Sequence, residues 1–364
     1  MDEGVNMLHL LSGLQTAVTA AAVTTVLTLS TVAMAANDKT IGVVVPTLDA
    51  QFWNRDIAFL TKGAEELGVK LIVLNADNKP DQMIKSIEDL VARNVDGIIS
   101  VGYWSTGAKT ILAAQRKKIP VILTDSYPDF APQSEKYPNY LAFVGPSDED
   151  AGYRMGKALF AAIKPGADGK KVIGVVNGTA GTSVAIDRRK GLARAIGEEG
   201  NIKVAGEVDG NFVRDASQTA FESLYQGNPD ITGVWCGNDA EAMGVIAALK
   251  SKGKVPGKDV MVSAMDLNPE NVDRVKAGEQ LFSIGGHWVQ GGIGLVIMYD
   301  YLNGVKLPAA DATVKLKLLP MAQNQVDQYV KDYPGGQPAY DFKAHSKFLN
   351  KDAPPVALEL KYSN

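Results

Sequence analysis

The chain has a single cysteine, Cys236, so no intrachain disulfide can form. It has only three histidines and no Cys/His cluster, which leaves no metal-ligand motif. Basic residues (37) are interspersed among acidic ones (41) with no basic block, so nothing points to nucleic acid as a partner. Nucleotide loops are missing too. A dinucleotide-dependent enzyme needs G-x-G-x-x-G after its first strand, and this chain runs Pro46-Thr47-Leu48-Asp49 instead. Gly178-Thr179-Ala180-Gly181 carries glycines at the wrong spacing, and there is no P-loop and no G-x-S-x-G. The expectation is a chain with no catalytic residues, no cofactor and no metal.

Positive charge is absent from the beginning of the chain, where no Lys or Arg precedes Lys39. Residues Leu8 to Ala36 are apolar, small or hydroxylated and end in Ala33-Met34-Ala35-Ala36, an A-x-A pattern. The reading is a signal peptide over 1–35, cut after Ala35, with the mature protein in the periplasm or outside the cell. Asp2 and Glu3 do not suit the positive start of such a signal, which places the true translation start at Met7 or elsewhere. A membrane anchor is the alternative for a stretch of this length, but Thr, Ser and Ala outnumber Leu and Ile. The remainder, in a chain 46% hydrophobic and 21% charged, has the make-up of a soluble globular protein of two-domain size.

From Thr40 onward, short apolar runs alternate with stretches of helical period. Ile41 to Val45 is a strand, stopped by Pro46, and further strands are expected at 69–74, 97–101, 121–124 and 141–144. Helices fall between them, including 80–93 with Met83, Ile87, Leu90 and Val91 at helical spacing. The pattern restarts with a helix at 147–163, capped by Ser147-Asp148-Glu149-Asp150. Strands at 171–176, 203–208, 233–236, 260–264 and 281–284 follow, then a helix at 289–302 and an alternating strand at 313–319. This is repeated βαβ and implies an α/β fold of two similar doubly wound parallel-sheet lobes, roughly 40–146 and 147–285. Met321 to Asn364 reads as a polar tail wrapping the surface.

Ligands of open α/β sheets bind beyond the carboxyl ends of the strands. Residues at those positions include Asp49, Phe52, Trp53, Tyr103, Trp104 and Asp125 in the first half. The second half contributes Asn177 to Thr182, Phe212, Arg214, Asn238, Asp239 and Asp266, and then Gly285-Gly286-His287-Trp288. Carboxylates, amides, an arginine and aromatic faces together suit a site that grips hydroxyl groups and stacks on C–H surfaces.

Over residues 40–320 the chain resembles the periplasmic sugar-binding proteins of the ribose/galactose type, the substrate-binding components of ABC importers. The resemblance is carried by Thr47-Leu48 with Phe52-Trp53, Ile122-Leu123-Thr124-Asp125, Gly178-Thr179-Ala180-Gly181-Thr182-Ser183, Phe212-Val213-Arg214, Cys236-Gly237-Asn238-Asp239 and Met265-Asp266, in matching order. It implies the type I periplasmic binding protein fold, with two lobes joined by a three-segment hinge. The first lobe would comprise 36–146 plus about 286–305, the second 147–285 plus about 306–320, and 321–364 would be a C-terminal extension. It also implies a sugar or polyol clamped by lobe closure and delivered by a monomeric receptor to a membrane permease. A sensor of the same fold, presenting its ligand to a sensor kinase or chemoreceptor, is the alternative.

Carried over by position, Phe52, Trp53 and Phe212 are stacking aromatics, Asp125 binds hydroxyls, and Arg214, Asn238 and Asp266 are polar clamps. Ribose binders have arginines where this chain has Ser126 and Ile186, an asparagine at Ala50, and a hinge glutamine near Gly286-His287. With Trp104, His287 and Trp288 nearby, the resemblance implies a more aromatic pocket for another pentose, hexose or polyol. Several residues keep a second reading. Phe52 and Trp53 either stack on ligand or cap the core. Asp125 either binds ligand or caps a turn, and Arg214 either reaches the site or forms a surface ion pair. Asp239 is expected to cap the helix after it. His287 makes either a ligand contact or a hinge hydrogen bond. Trp288 suits the core, and Cys236 is expected as a buried free thiol.

Overall fold

The computed structural model describes residues 39–363. The expected signal segment 1–35 lies outside the described residues. Five apolar runs form parallel strands of a first sheet: β1 (Thr40–Val45), β2 (Lys70–Asn75), β3 (Gly97–Val101), β4 (Val121–Thr124) and β5 (Tyr140–Pro146). A second sheet holds β6 (Lys171–Asn177), β7 (Ile202–Asp209), β8 (Gly233–Cys236), β9 (Met261–Asp266) and β10 (Phe282–Gly285). Two late strands complete the sheets, β11 (Thr313–Leu316) and β12 (Leu319–Ala322). The orders are β11-β5-β4-β3-β1-β2 and β12-β10-β9-β8-β6-β7. All neighbours are parallel except β10 and β12, which are antiparallel. Central strands β3, β4 and β8 are buried along their whole length, as a sheet covered on both faces requires, while edge strand β7 alternates with exposed residues.

Helices cover the sheets: α1 (Gln51–Leu67), α2 (Pro80–Ala92), α3 (Gly107–Gln115) and α9 (Gln290–Leu302) in the first lobe, and α4 (Asp148–Ala162), α5 (Ser183–Glu199), α6 (Arg214–Gly227), α7 (Asp239–Ser251) and α8 (Pro269–Lys276) in the second. The chain crosses between lobes after β5, after β10 and between β11 and β12. Among the described residues the fold is two parallel-sheet α/β lobes with no closed barrel.

Three local expectations meet a different structure. Residues 306–320, expected in the second lobe, are divided. β11 pairs in parallel with β5 of the first sheet, and only β12 joins the second. The expected single strand 313–319 is thus two strands, with Lys317 and Leu318 crossing between sheets. Ser147 makes no side-chain cap on α4, and the neighbouring Asp148 turns inward instead. Finally, residues 321–363 hold two helices, α10 (Val326–Asp332) and α11 (Phe342–His345), and bury Tyr329, Tyr340, Phe342 and Leu360 in the core.

Candidate functional site

A cavity of about 690 Å³ lies between the lobes at the carboxyl ends of the strands. The first lobe contributes the β1–α1 turn and the start of α1, including Thr47, Phe52 and Trp53, together with Tyr103 and Asp125. The second contributes Thr179, Arg188, Phe212, Arg214, Asn238, Asp266 and Glu270, and the hinge contributes His287. The structure thus brings Phe52, Trp53, Asp125, Phe212, Arg214, Asn238, Asp266 and His287 to one cavity. The Trp104 side chain lies outside the described residues.

The aromatic walls come from both lobes. Phe52 meets Trp53 edge-on with ring centroids 4.9 Å apart and lies 4.5 Å from the His287 ring. Tyr103 of the first lobe faces Phe212 of the second at 6.2 Å with an interplanar angle of 27°. Phe212 reaches this place because Gly178 has no side chain: a Cβ there would stand 1.9 Å from the Phe212 Cζ. Asn211 and Phe212 both have left-handed backbone, with φ of 55° and 60°. Strain of this kind at non-glycine residues persists where the surrounding structure holds it, often at ligand sites. Asp125 (φ 63°) and Asp266 (φ 130°) share the feature on opposite sides of the cavity.

The polar groups are buried. Asp125 accepts from the Tyr103 hydroxyl at 2.8 Å and from Gln290 Nε2 at 3.4 Å. Burial pushes its carboxyl up, while Arg188 and the Tyr103 hydroxyl pull it back. Asp266 is pushed well up by burial and by the nearby Asp239. His287 is 1% exposed, and burial with the adjoining Arg188 and Arg55 cations holds its pKa well below the usual histidine value. The imidazole is therefore neutral, 3.5 Å from Asp266 at Nε2 and without a partner at Nδ1. An unpartnered buried polar atom lining a cavity is a place for a ligand hydroxyl. Asn268 Oδ1 is a second such atom.

Arg188 was not singled out by the motif pattern, although it has the most buried guanidinium in the cavity wall. Its Nε donates to Asp148 at 2.8 Å and its Nη1 to the Gly237 carbonyl at 2.8 Å. The guanidinium carbon lies 5.6 Å from the Phe212 ring. Although burial opposes its charge, Asp148, Asp266 and Asp125 outweigh that and hold Arg188 protonated. The signal was present in α5, where Val184, Ala185, Arg188, Gly191, Leu192 and Ala195 form one buried stripe. A lone arginine on an apolar stripe marks a buried charge with a partner. Ile186, in the same helix, is 46% exposed. Tyr103 is the other residue that belongs with the expected set.

Two expectations change places. Asn238 caps α7, its Oδ1 accepting from the Glu241 amide at 2.9 Å while Glu241 accepts from the Asn238 amide. Asp239 is not the cap. It is fully buried and accepts from the Asn268 amide, Gln280 and Ser283. Arg214 lines the cavity, pairs with Glu270 and is 45% exposed, so the surface ion pair is what the structure shows. Trp288 is core, and Cys236 is a buried free thiol.

Two lobes with a shared hinge and a buried, hydroxyl-ready cleft define a solute-binding receptor. Residues 41–306 match the family model described as a periplasmic binding protein domain, and the chain belongs to that family. A galactofuranose-binding protein of Escherichia coli is 31% identical over 226 residues, 61% of this chain and 69% of that protein. A ribose import binding protein of Haemophilus influenzae is 31% identical over 273 residues, 74% of this chain and 88% of that one. Among solved structures, a galactofuranose binding protein superposes with a TM-score of 0.74 at 25% identity, covering 81% of this chain and 98% of that one. The relatives are named as binding proteins, and this chain is a binding protein, not an enzyme.

Proposed function

We propose that this chain is an exported periplasmic receptor that clamps a neutral sugar or polyol between its lobes and delivers it to the permease of an ABC importer. The observation that carries this is the cavity itself. Aromatic faces from both lobes (Phe52, Trp53, Tyr103, Phe212) surround buried Asp125, Arg188, Asp266 and neutral His287. Stacking faces take the C–H surface of a ring, the carboxylates accept from hydroxyls, and Arg188 donates. A neutral ligand suits a wall in which Arg188 is already balanced by Asp148 and neighbouring carboxylates. The sugars in the names of the relatives, galactofuranose and ribose, are of this class. Binding across both lobes favours the closed form, which a permease would read. Asn238, Arg214 and Trp104 complete the proposed ligand-binding set.

A thermal-shift screen against pentoses, hexoses and polyols tests the reading. A ligand that binds only the native state raises Tm by mass action. At least one sugar raises Tm, and Asp125→Ala or Arg188→Met abolishes that rise while the variant still melts cooperatively. Folded protein, freed of bound solute, that responds to no sugar or polyol overturns the proposal.

A further inference from the structure

The C-terminal extension lies beyond the span of the family match, which ends at residue 306. Its path runs back and forth over the cleft's hinge side. α10 packs on α8 and β12 of the second lobe, where Lys276 Nζ reaches Asp327 at 2.9 Å. The chain then crosses to the first lobe, where Phe342 occupies a place above α1 that a Cβ at Gly63 would fill, 2.4 Å from its Cε1. Asp300 of α9 secures that end, accepting from the Lys347 and Phe348 amides at 2.8 and 3.1 Å. The last residues return: Leu360 packs on hinge Gly286, and the Tyr362 hydroxyl donates to the Pro320 carbonyl at 2.7 Å.

Where the extension makes its first crossing it meets Arg55, on the first turns of α1. Among the described residues, no carboxylate is hydrogen-bonded to Arg55. Nη1 donates to the Leu267 carbonyl of the second lobe at 2.6 Å, and Nη2 donates to the Tyr329 hydroxyl at 3.3 Å and to the Gly336 carbonyl. Its guanidinium carbon lies 3.4 Å from the centre of the Trp288 ring in the hinge. One buried cation of the first lobe thus holds the turn that follows Asp266, the hinge tryptophan and two points of the extension. Separation of the lobes would draw Arg55 away from Leu267. A buried guanidinium that loses an acceptor is penalised, because its other surroundings do not replace that bond.

We propose that the C-terminal extension is an interlobe strap, keyed through Arg55, that holds the ligand-free receptor towards the closed arrangement. The inference rests on the sugar-receptor reading for its purpose, since closure matters only to a protein that clamps something. Its test uses no sugar, so a failed ligand screen and a failed strap are separate results.

Small-angle X-ray scattering of the sugar-free full chain, wild type beside Arg55→Met and Tyr329→Phe, measures closure directly. Tyr329→Phe keeps the ring and removes only the hydroxyl that meets Arg55, so it remains informative if Arg55→Met fails to fold. A shift to a larger radius of gyration in folded Tyr329→Phe, and a larger one in Arg55→Met where it folds, supports the strap. An unchanged scattering profile in folded Tyr329→Phe overturns it, and a lower Tm without that shift does so equally, since the contact would then be packing alone.

Discussion

Asp56 sits on the buried face of α1 with its Oδ1 2.8 Å from the Gly291 amide of α9. One hydrogen bond does not replace the water it has lost. Burial pushes its pKa up to about 8, with Asp125 adding to the rise. A folded-state value above the unfolded one means that the native protein binds the extra proton. Its contribution is favourable below about pH 4 and is lost as pH rises towards 8. Asp56→Asn keeps an acceptor for Gly291 and removes the titration. The expected outcome is a flatter dependence of Tm on pH between 4 and 8, with a gain on the order of 1 kcal/mol at the alkaline end, read by thermal melts across that range. Asp148, pushed up to about 7 by burial despite its Arg188 partner, contributes in the same direction. Single residues were unevenly legible in the sequence. Asp125 and Phe212 follow strand ends and could be placed from that alone. Arg188 is on a helix, where a strand-end rule does not look. Asn238 and Asp239 are adjacent, and which one caps α7 depends on the non-local partners Asn268, Gln280 and Ser283 that take Asp239 inward.

Among the elements, α9 joins the hinge to the extension. Asp300 in its last turn accepts from Ser346 Oγ as well as from the Lys347 and Phe348 amides. Removing a buried acceptor leaves its donors unsatisfied, so Asp300→Ala should destabilise the protein by about 2 kcal/mol or more. Urea unfolding reads the loss, and faster amide exchange confined to 340–350 at low urea would locate it. A variant as stable as wild type would mean that the extension is held without this contact. Elements of the two sheets were readable because βαβ repeats imprint buried runs and helical stripes on local sequence. α8 (Pro269–Lys276) leaves little trace in the sequence, since it is short, with only Asn271, Val272 and Val275 buried. β11 and β12 were merged because their alternation is continuous while their sheets differ, and the sheet to which a strand belongs is a property of its partner.

For the whole molecule, the lobes also touch directly through Tyr127 and Ser183. Ser183 Oγ of the second lobe accepts from the Tyr127 amide at 2.9 Å and lies 3.0 Å from Ser126 Oγ, while the Tyr127 hydroxyl donates to Asp187. These contacts act on closure, not on sugar. Ser183→Ala should weaken every bound sugar by the same factor, about fivefold for the loss of roughly 1 kcal/mol of hydrogen bonding. Titration calorimetry of two sugars would show equal losses, and a loss for one sugar only would place Ser183 in the ligand contact set. The Ser126 hydroxyl is engaged in this interlobe contact. The architecture was legible from repetition, whereas the extension's role was not, because its partners Arg55, Gly286 and Asp300 are distant in sequence.

The pairing of β5 with β11 has a consequence in time. The first sheet ends at Pro146 in sequence, yet its edge is closed by Thr313–Leu316, after strands β6 to β10 of the second lobe have been made. Arg55 waits longer still for Gly336. A chain emerging one residue at a time therefore carries an unfinished first lobe through almost its entire synthesis, and long-range pairings of this kind form slowly. Its structure is complete only when its last residues are free.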